Sequence, residues 1–227
     1  MFPTKIGICV PAHNEQAYIN ACLNHLYAAV NNTPLPVITL VVLDTCTDAT
    51  KMIVTARNIQ HVECQSKQVG IARHLGVTRL IEMGCDWIAC TDADTIVPVD
   101  WLSKQLTLLS QRPDTDMICG GVKLMGDSTI TEPRLSVLEK TLLPTVSDKI
   151  VYGANLSFSA NAYLTAGGFK AVSFHEDAKL CQSFKEHNLS IAYDPHNAVH
   201  TSPRCESKTP RGLGNDISNF NQLFQQF

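Results

Sequence analysis

The chain has 227 residues, 44% of them hydrophobic, with 17% charged residues and a formal net charge of −3. That length suits one domain, or a domain with a modest appendage, around a full hydrophobic core, which excludes a small disulfide-stapled scaffold. The mild negative charge gives no reason to expect nucleic acid or an anionic membrane as a partner, and points to a small molecule instead.

In chain order, Ile6 to Val10 is the first β-branched run and ends in Pro11-Ala12-His13-Asn14-Glu15. Ile19, Cys22, Leu23, Leu26 and Val30 then recur at helical spacing and predict a helix with one core face. The second strand, Val37 to Leu43, ends in Asp44-Thr45-Cys46-Thr47-Asp48, with Asp48 placed to cap a helix near Thr50. The third, His61 to Cys64, ends in Gln65-Ser66-Lys67. Ile71, Leu75, Thr78 and Leu80 to Met83 predict a helix that Gly84 closes. Trp87 to Thr91 carries Asp92-Ala93-Asp94 at its end. Asp100 stands where it can cap a helix through Trp101, Leu102, Leu106 and Leu109, stopping near Gln111-Arg112-Pro113. Met117 to Val122 is the next strand. Such alternation predicts an α/β fold, and the nearly continuous apolar runs predict a parallel sheet covered by helices on both faces.

The second half is less regular. Gly126 to Val151 shows no clear period, carries Pro133 and Pro144 beside the apolar stretch Leu135 to Leu143, and reads as an insertion or an acceptor-side segment. A strand at Ala154 to Phe158, a Gly167-Gly168 turn, a helix from about Glu176 to His187 and a short strand, Ile191 to Tyr193, follow. Pro203 to Gly214 is basic and rich in Pro and Gly, and Ile217, Phe220, Phe224 and Phe227 line one face of a terminal amphipathic helix. The nine cysteines, Cys205 among them, form no C-x-x-C pair and sit mostly in apolar runs. They read as reduced core residues. With no leader-like opening and no apolar run near the ~20 residues that span a bilayer, a cytoplasmic protein without a transmembrane segment is expected.

In an open α/β sheet ligands bind beyond the carboxyl ends of the strands, so the four polar clusters at those ends should converge on one rim. Asp92 and Asp94, one residue apart, offer hard oxygens suited to Mg²⁺ or Mn²⁺, ions that take further ligands from substrate phosphates. The pair therefore implies a diphosphate. Paired aspartates also serve as solvated helix caps. In a phosphatase of the haloacid dehalogenase type, Asp92 would attack phosphorus and Asp94 would act as acid and base. A non-catalytic nucleotide-sugar-binding module is a third reading.

Val10 to Glu15, Leu43 to Thr50, Gly70-Ile71-Ala72-Arg73-His74-Leu75-Gly76 and Asp92-Ala93-Asp94 resemble, in order and spacing, the nucleotide-binding half of family 2 glycosyltransferases, which have the GT-A fold. Gly153-Ala154-Asn155, Gly167-Gly168-Phe169 and Glu176-Asp177 are similar to its acceptor half. The resemblance implies a single GT-A-type catalytic domain over 1–203, with a donor half at about 1–100 and an acceptor half at about 115–203. Residues 204–227 add the basic loop and terminal helix. It further implies that Pro11, Ala12 and Glu15 line the nucleoside pocket, that Asp44 bonds the base, and that Arg73 lies near it, on a ring or facing the phosphates. Asp92 would lie by the ribose and metal, Asp94 would bind Mn²⁺ or Mg²⁺, and Asp177, with Glu176 beside it, would be the base of an inverting transfer from a nucleoside-diphosphate sugar to an acceptor hydroxyl. His200 is a further candidate metal ligand, or a surface histidine. Arg204, Lys208 and Arg211 could close over a pyrophosphate, or form a solvated tail. Thr45 and Cys46 depart from the family pattern, where an acid and a glycine are frequent. The Gln-x-x-Arg-Trp motif of processive synthases is absent, so a hexosyltransferase that adds one sugar at a time is expected.

Overall fold

The structure, a computed structural model, describes residues 2–126, 132–143, 151–204 and 213–224. Strands β1 (Ile6–Ala12), β2 (Val37–Asp44), β3 (Gln60–Cys64) and β4 (Trp87–Cys90) run parallel in the order β3-β2-β1-β4, joined by helices α1 (Ile19–Asn31), α2 (Thr50–Ala56) and α3 (Val69–Glu82). The expected alternation is borne out here. The chain passes from β1 to β2 and β3 on one side, then returns to place β4 on the other. That reversal opens a crevice at the carboxyl ends of β1 and β4.

Side chains along β1 alternate between two cores. Ile6, Ile8 and Val10 pack with Leu23 and Leu26 of α1 and with Trp101, Leu102 and Leu106 of α4 (Trp101–Gln111). Cys9 faces the opposite layer, with Ala72, Val77 and Leu80 of α3. Burying each such leucine contributes about 1.5–3 kcal/mol, so both faces of the strand are held. The close seat of α3 depends on Gly76, where a Cβ would stand 2.7 Å from Val42 Cγ2.

Beyond β4 the order continues β7 (Leu156–Ser159), β6 (Met117–Leu124), β8 (Ile191–Thr201) and β5 (Thr95–Ile96). β7 is antiparallel to both β4 and β6, so the sheet is mostly parallel with an antiparallel strand at its centre. It also starts later than the sequence suggests, because Gly153–Asn155 forms a 3-10 turn. β8 is far longer than the expected Ile191 to Tyr193. Across from Gly121 it carries residues 195–198 as a bulge, and Asp194 Oδ1 accepts the His196 and Asn197 N–H groups to hold it. The bulge lets Pro195 sit within a strand, so His196 and His200, four residues apart, do not share a helix face.

Residues 132–142 form α5 (Glu132–Leu142), whose first turn absorbs Pro133, since the N–H it lacks would have no helical partner there. Buried Leu138, with Leu143 and Leu124, packs against Ile217 and Phe220 of α8 (Leu213–Phe224), which gives the terminal amphipathic face its docking surface. The Phe224 side chain and Phe227 lie outside the described residues. Two short elements had no sequence signal strong enough to be expected: β5 and α6 (Ala160–Thr165). Asp100 occupies the cap position of α4 but makes no capping bond; its carboxylate pairs with Lys104 at 2.9 Å instead. Asp48 accepts the Thr50 N–H at 2.9 Å, one residue outside the cap of α2. Among the described residues, no helix is long and apolar enough to cross a membrane, and the eight described cysteines are free.

Candidate active site

The four strand ends do meet on one rim. His13 Nδ1 lies 2.6 Å from the Asp44 carbonyl, Asn14 Oδ1 accepts the Thr47 N–H at 2.7 Å, and the Glu15 N–H donates to Thr50 Oγ1 at 2.7 Å. Asn14 and Thr45 adopt positive φ there, 52° each, the tight reversals that turn both loops toward each other. Ala12 is buried and Pro11 half-buried at the end of β1, below these loops.

Asp44, expected at the nucleobase, is only 4% exposed. Its Oδ1 accepts from the Ser66 N–H at 2.8 Å, the Lys67 N–H at 3.0 Å and Thr45 Oγ1 at 2.9 Å. Oδ2 accepts from Ser66 Oγ at 2.7 Å and the Gln68 N–H at 3.2 Å. Burial alone would raise this carboxyl, but the bonds from Ser66, Lys67 and Thr45 outweigh it and lower it below the ordinary range. The carboxylate therefore organises the loop between β3 and α3. Next to it, Thr45, Cys46, Thr47, Lys51, Glu63 and Gln65 line a cleft of about 340 Å³.

Each aspartate of the triplet has its own arginine. Asp92, one-third exposed, pairs through Oδ1 with Arg73 Nη2, while Arg73 Nη1 pairs with Glu176 Oε1. Arg73 is thus 3% exposed and enclosed by carboxylates, where the sequence suggested a side chain open to a ring or phosphates. Burial works against its charge, but Asp92 and Glu176 prevail and hold the guanidinium protonated. Asp94 Oδ2 lies 2.9 Å from Arg204 Nη2. Arg204 also makes a two-pronged pair with Glu15, at 2.7 and 3.0 Å, and sits 5.4 Å above the Tyr18 ring. Burial pushes the Asp94 carboxyl up to about 6, with Asp92 and Glu15 adding to it against Arg204.

Further along the chain, Glu176 and Asp177 open α7 (Glu176–Glu186), as expected. Burial raises Glu176, Arg73 pulls it back, and Asp177 pushes it up again. Asp177 Oδ2 accepts the Gly153 N–H at 2.7 Å. Asn155, also from the Gly153-Ala154-Asn155 motif, is structural. It accepts from Trp101 Nε1 at 2.9 Å and donates to the Gly121 and Asn197 carbonyls at 2.8 and 2.7 Å. Gly120 leaves room for its amide.

His200 lies exposed on β8, opposite Ile96 and Lys123 in register, and burial together with Lys123 lowers its pKa. The described residues contain no group of three or more His, Cys, Asp or Glu arranged to hold a metal, so His200 is not brought into such a cluster with Asp92 and Asp94. Lys208 and Arg211 lie outside the described residues. Ser66 stood in the third polar cluster, but its bonds to Asp44 carry no sequence signal, and no residue pattern marks Tyr18 or Gln68; the loop pairing that uses them is visible only in three dimensions.

Two carboxylates remain that fit a small divalent ion. They are hard donors one residue apart, each paired here with an arginine, and burial pushes the Asp94 carboxyl toward protonation. The phosphatase alternative fits less well, since its nucleophile would be Asp92, here tied to Arg73 and placed after the fourth strand in sequence.

The fold matches solved structures of glycosyltransferases. S. aureus TarS 1-349 in complex with UDP-GlcNAc superposes with a TM-score of 0.68 at 18% identity, over 92% of this chain and 61% of that one. Mannosyltransferase PcManGT from Pyrobaculum calidifontis, in complex with GDP-Man and Mn²⁺, gives 0.63 at 18% identity over 94% and 59%. Glucosyl-3-phosphoglycerate synthase from Mycobacterium tuberculosis, with Mn²⁺, UDP and glucosyl-3-phosphoglycerate, gives 0.58 at 17% identity over 87% and 70%. The chain thus spans about 60% of the length of the first two. No curated protein matches by sequence. The architecture is the GT-A fold, an α/β arrangement of a mostly parallel sheet flanked by helices. The sequence matches the description Glycosyl transferase family 2 over residues 7–165, from β1 through α6, and the chain belongs to that family.

Proposed function

We propose that the chain is a metal-dependent glycosyltransferase that moves one sugar, with inversion, from a nucleoside-diphosphate sugar to an acceptor hydroxyl. The observation that carries this reading is the meeting of Asp92-Ala93-Asp94, at the β1–β4 crevice, with Glu176-Asp177 on α7 through the single guanidinium of Arg73. Donor-side and acceptor-side carboxylates therefore share one site, as an in-line displacement at an anomeric carbon requires. The nucleotides bound by TarS, PcManGT and the M. tuberculosis synthase support a nucleoside-diphosphate donor, and the Mn²⁺ of the last two supports a divalent ion.

In this reading the nucleoside lies along Pro11, Ala12 and Glu15, with the base toward the Thr45-Thr47 cleft and the loop that Asp44 organises. Asp92 and Asp94 hold Mn²⁺ or Mg²⁺, with Asp92 also near the ribose. When bound, the ion offsets the charge gathered by the departing diphosphate. Asp177 takes the acceptor proton: its Oδ2 is aimed by the Gly153 N–H, and lone pairs remain for the hydroxyl. His200 is left out of the coordination, given its surroundings on β8. The acceptor is a hydroxyl compound of unspecified class.

The test offers a panel of nucleotide sugars with Mn²⁺ or Mg²⁺ and records which raises the melting temperature and which is consumed. A donor that does both, only with a divalent ion, supports the proposal. Stabilisation without consumption in the presence of varied acceptors would leave a binding module, and hydrolysis of aryl phosphates without donor binding would overturn it.

A further inference from the structure

Arg73 belongs to α3 in the donor half, yet one of its two carboxylate partners comes from the acceptor half. Nη2 reaches Asp92 and Nη1 reaches Glu176, and at 3% exposure no face is left for a nucleobase or a phosphate. Gly153 lies against the guanidinium so closely that a Cβ there would overlap it, and the same residue's N–H holds Asp177 Oδ2 at 2.7 Å. At Gly70, one turn before Arg73, a Cβ would stand 3.1 Å from Glu176 Cβ and 2.8 Å from the Lys170 carbonyl, so α7 begins directly on α3. His175, at φ 60°, turns the chain sharply before α7 and sends the two acids different ways, Glu176 under α3 and Asp177 to Gly153.

Resting on the transferase reading above, we infer that Arg73 is a positioning residue: it binds Glu176, not the nucleotide, and through Glu176 and Gly153 it fixes the Asp177 carboxylate relative to Asp92. Glu176 is then a strut and not a second base. The planar fork is what the job requires, because two carboxylates on different elements are held at a set separation; a lysine ammonium is one point on a flexible stem and cannot keep both. Coupling follows from the same geometry. Whatever binds Asp92 acts on one prong of the fork whose other prong sets the acceptor side.

The experiment uses the full chain, a donor that the wild type consumes, and calorimetry with the matching nucleoside diphosphate. Glu176→Ala is expected to lower kcat ~30-fold or more while donor KM and nucleoside-diphosphate Kd stay within ~2-fold, and Arg73→Lys to lower kcat at least as much. Glu176→Gln keeps an oxygen for Arg73 and is expected to recover kcat to within ~3-fold of wild type. Weakened nucleoside-diphosphate binding, ~10-fold or more at nearly unchanged kcat, would make Arg73 a nucleotide contact and overturn the inference. So would a lower melting temperature with unaltered kcat, or a Glu176→Gln variant as damaged as Glu176→Ala. If Arg73→Lys does not fold, the two Glu176 variants decide. A wild type that consumes no donor fails the transferase reading itself, and this inference with it; a working wild type with the wrong variant pattern fails the inference alone.

Discussion

At the scale of single residues, the two acids assigned to chemistry and to metal behave differently when neutralised. Asp177→Asn is expected to lower kcat by about 10²–10⁴-fold with donor affinity unchanged, measured by steady-state transfer and calorimetry, because only the proton acceptor is lost. Asp94→Asn is expected to abolish ion-dependent donor binding, and yet to stabilise the fold. The folded Asp94 carboxyl is pushed up to about 6 from an ordinary 3.8, so the folded state binds the extra proton between those values. Its charge therefore lowers stability as pH rises through that window, by on the order of 3 kcal/mol above pH 6. Melting curves should show Asp94→Asn gaining most at pH 7.5 and little at pH 4. These acids were legible in the sequence because each follows a strand or opens a helix. The state of Arg73 was not, since Glu176 lies 103 positions away and nothing local in Gly70 to Gly76 signals enclosure.

At the scale of elements, legibility followed length and periodicity. The first four strands and helices α1, α3 and α4 were written in continuous apolar runs and helical repeats, and they stand where those patterns put them. β5 has two residues and α6 six, too few for any period to show. The end of β8 was hidden for another reason: Asp194 closes the bulge with side-chain bonds, so Pro195, a strand breaker by rule, marks an irregularity and not an end. Helix placement also makes a prediction. Gly76→Ala would add a Cβ 2.7 Å from Val42 Cγ2, forcing α3 off the sheet. A net loss of about 1–3 kcal/mol in urea unfolding is expected, despite the better helix propensity of alanine.

At the scale of the whole molecule, Arg204 joins the chain's second half to its first loop, 189 positions apart, and supplies the cation for both Glu15 and Asp94. Arg204→Met is expected to cost about 3 kcal/mol at pH 7.5 and less at pH 5, where Asp94 takes up a proton; chemical denaturation at the two pH values checks this. The sequence foresaw a basic segment here, but not that its first arginine reaches back to Glu15. The two tryptophans offer a further use of the fold. Trp87, at the start of β4, donates to Gln105 of α4 at 3.0 Å, and Trp101, on the same helix, donates to Asn155 at 2.9 Å, both indoles buried. Both indoles belong to one apolar cluster, dry and hydrogen-bonded, and variants keeping a single indole would let light emission report separately on the seat of β4 against α4 and on the 3-10 turn that Asn155 ends.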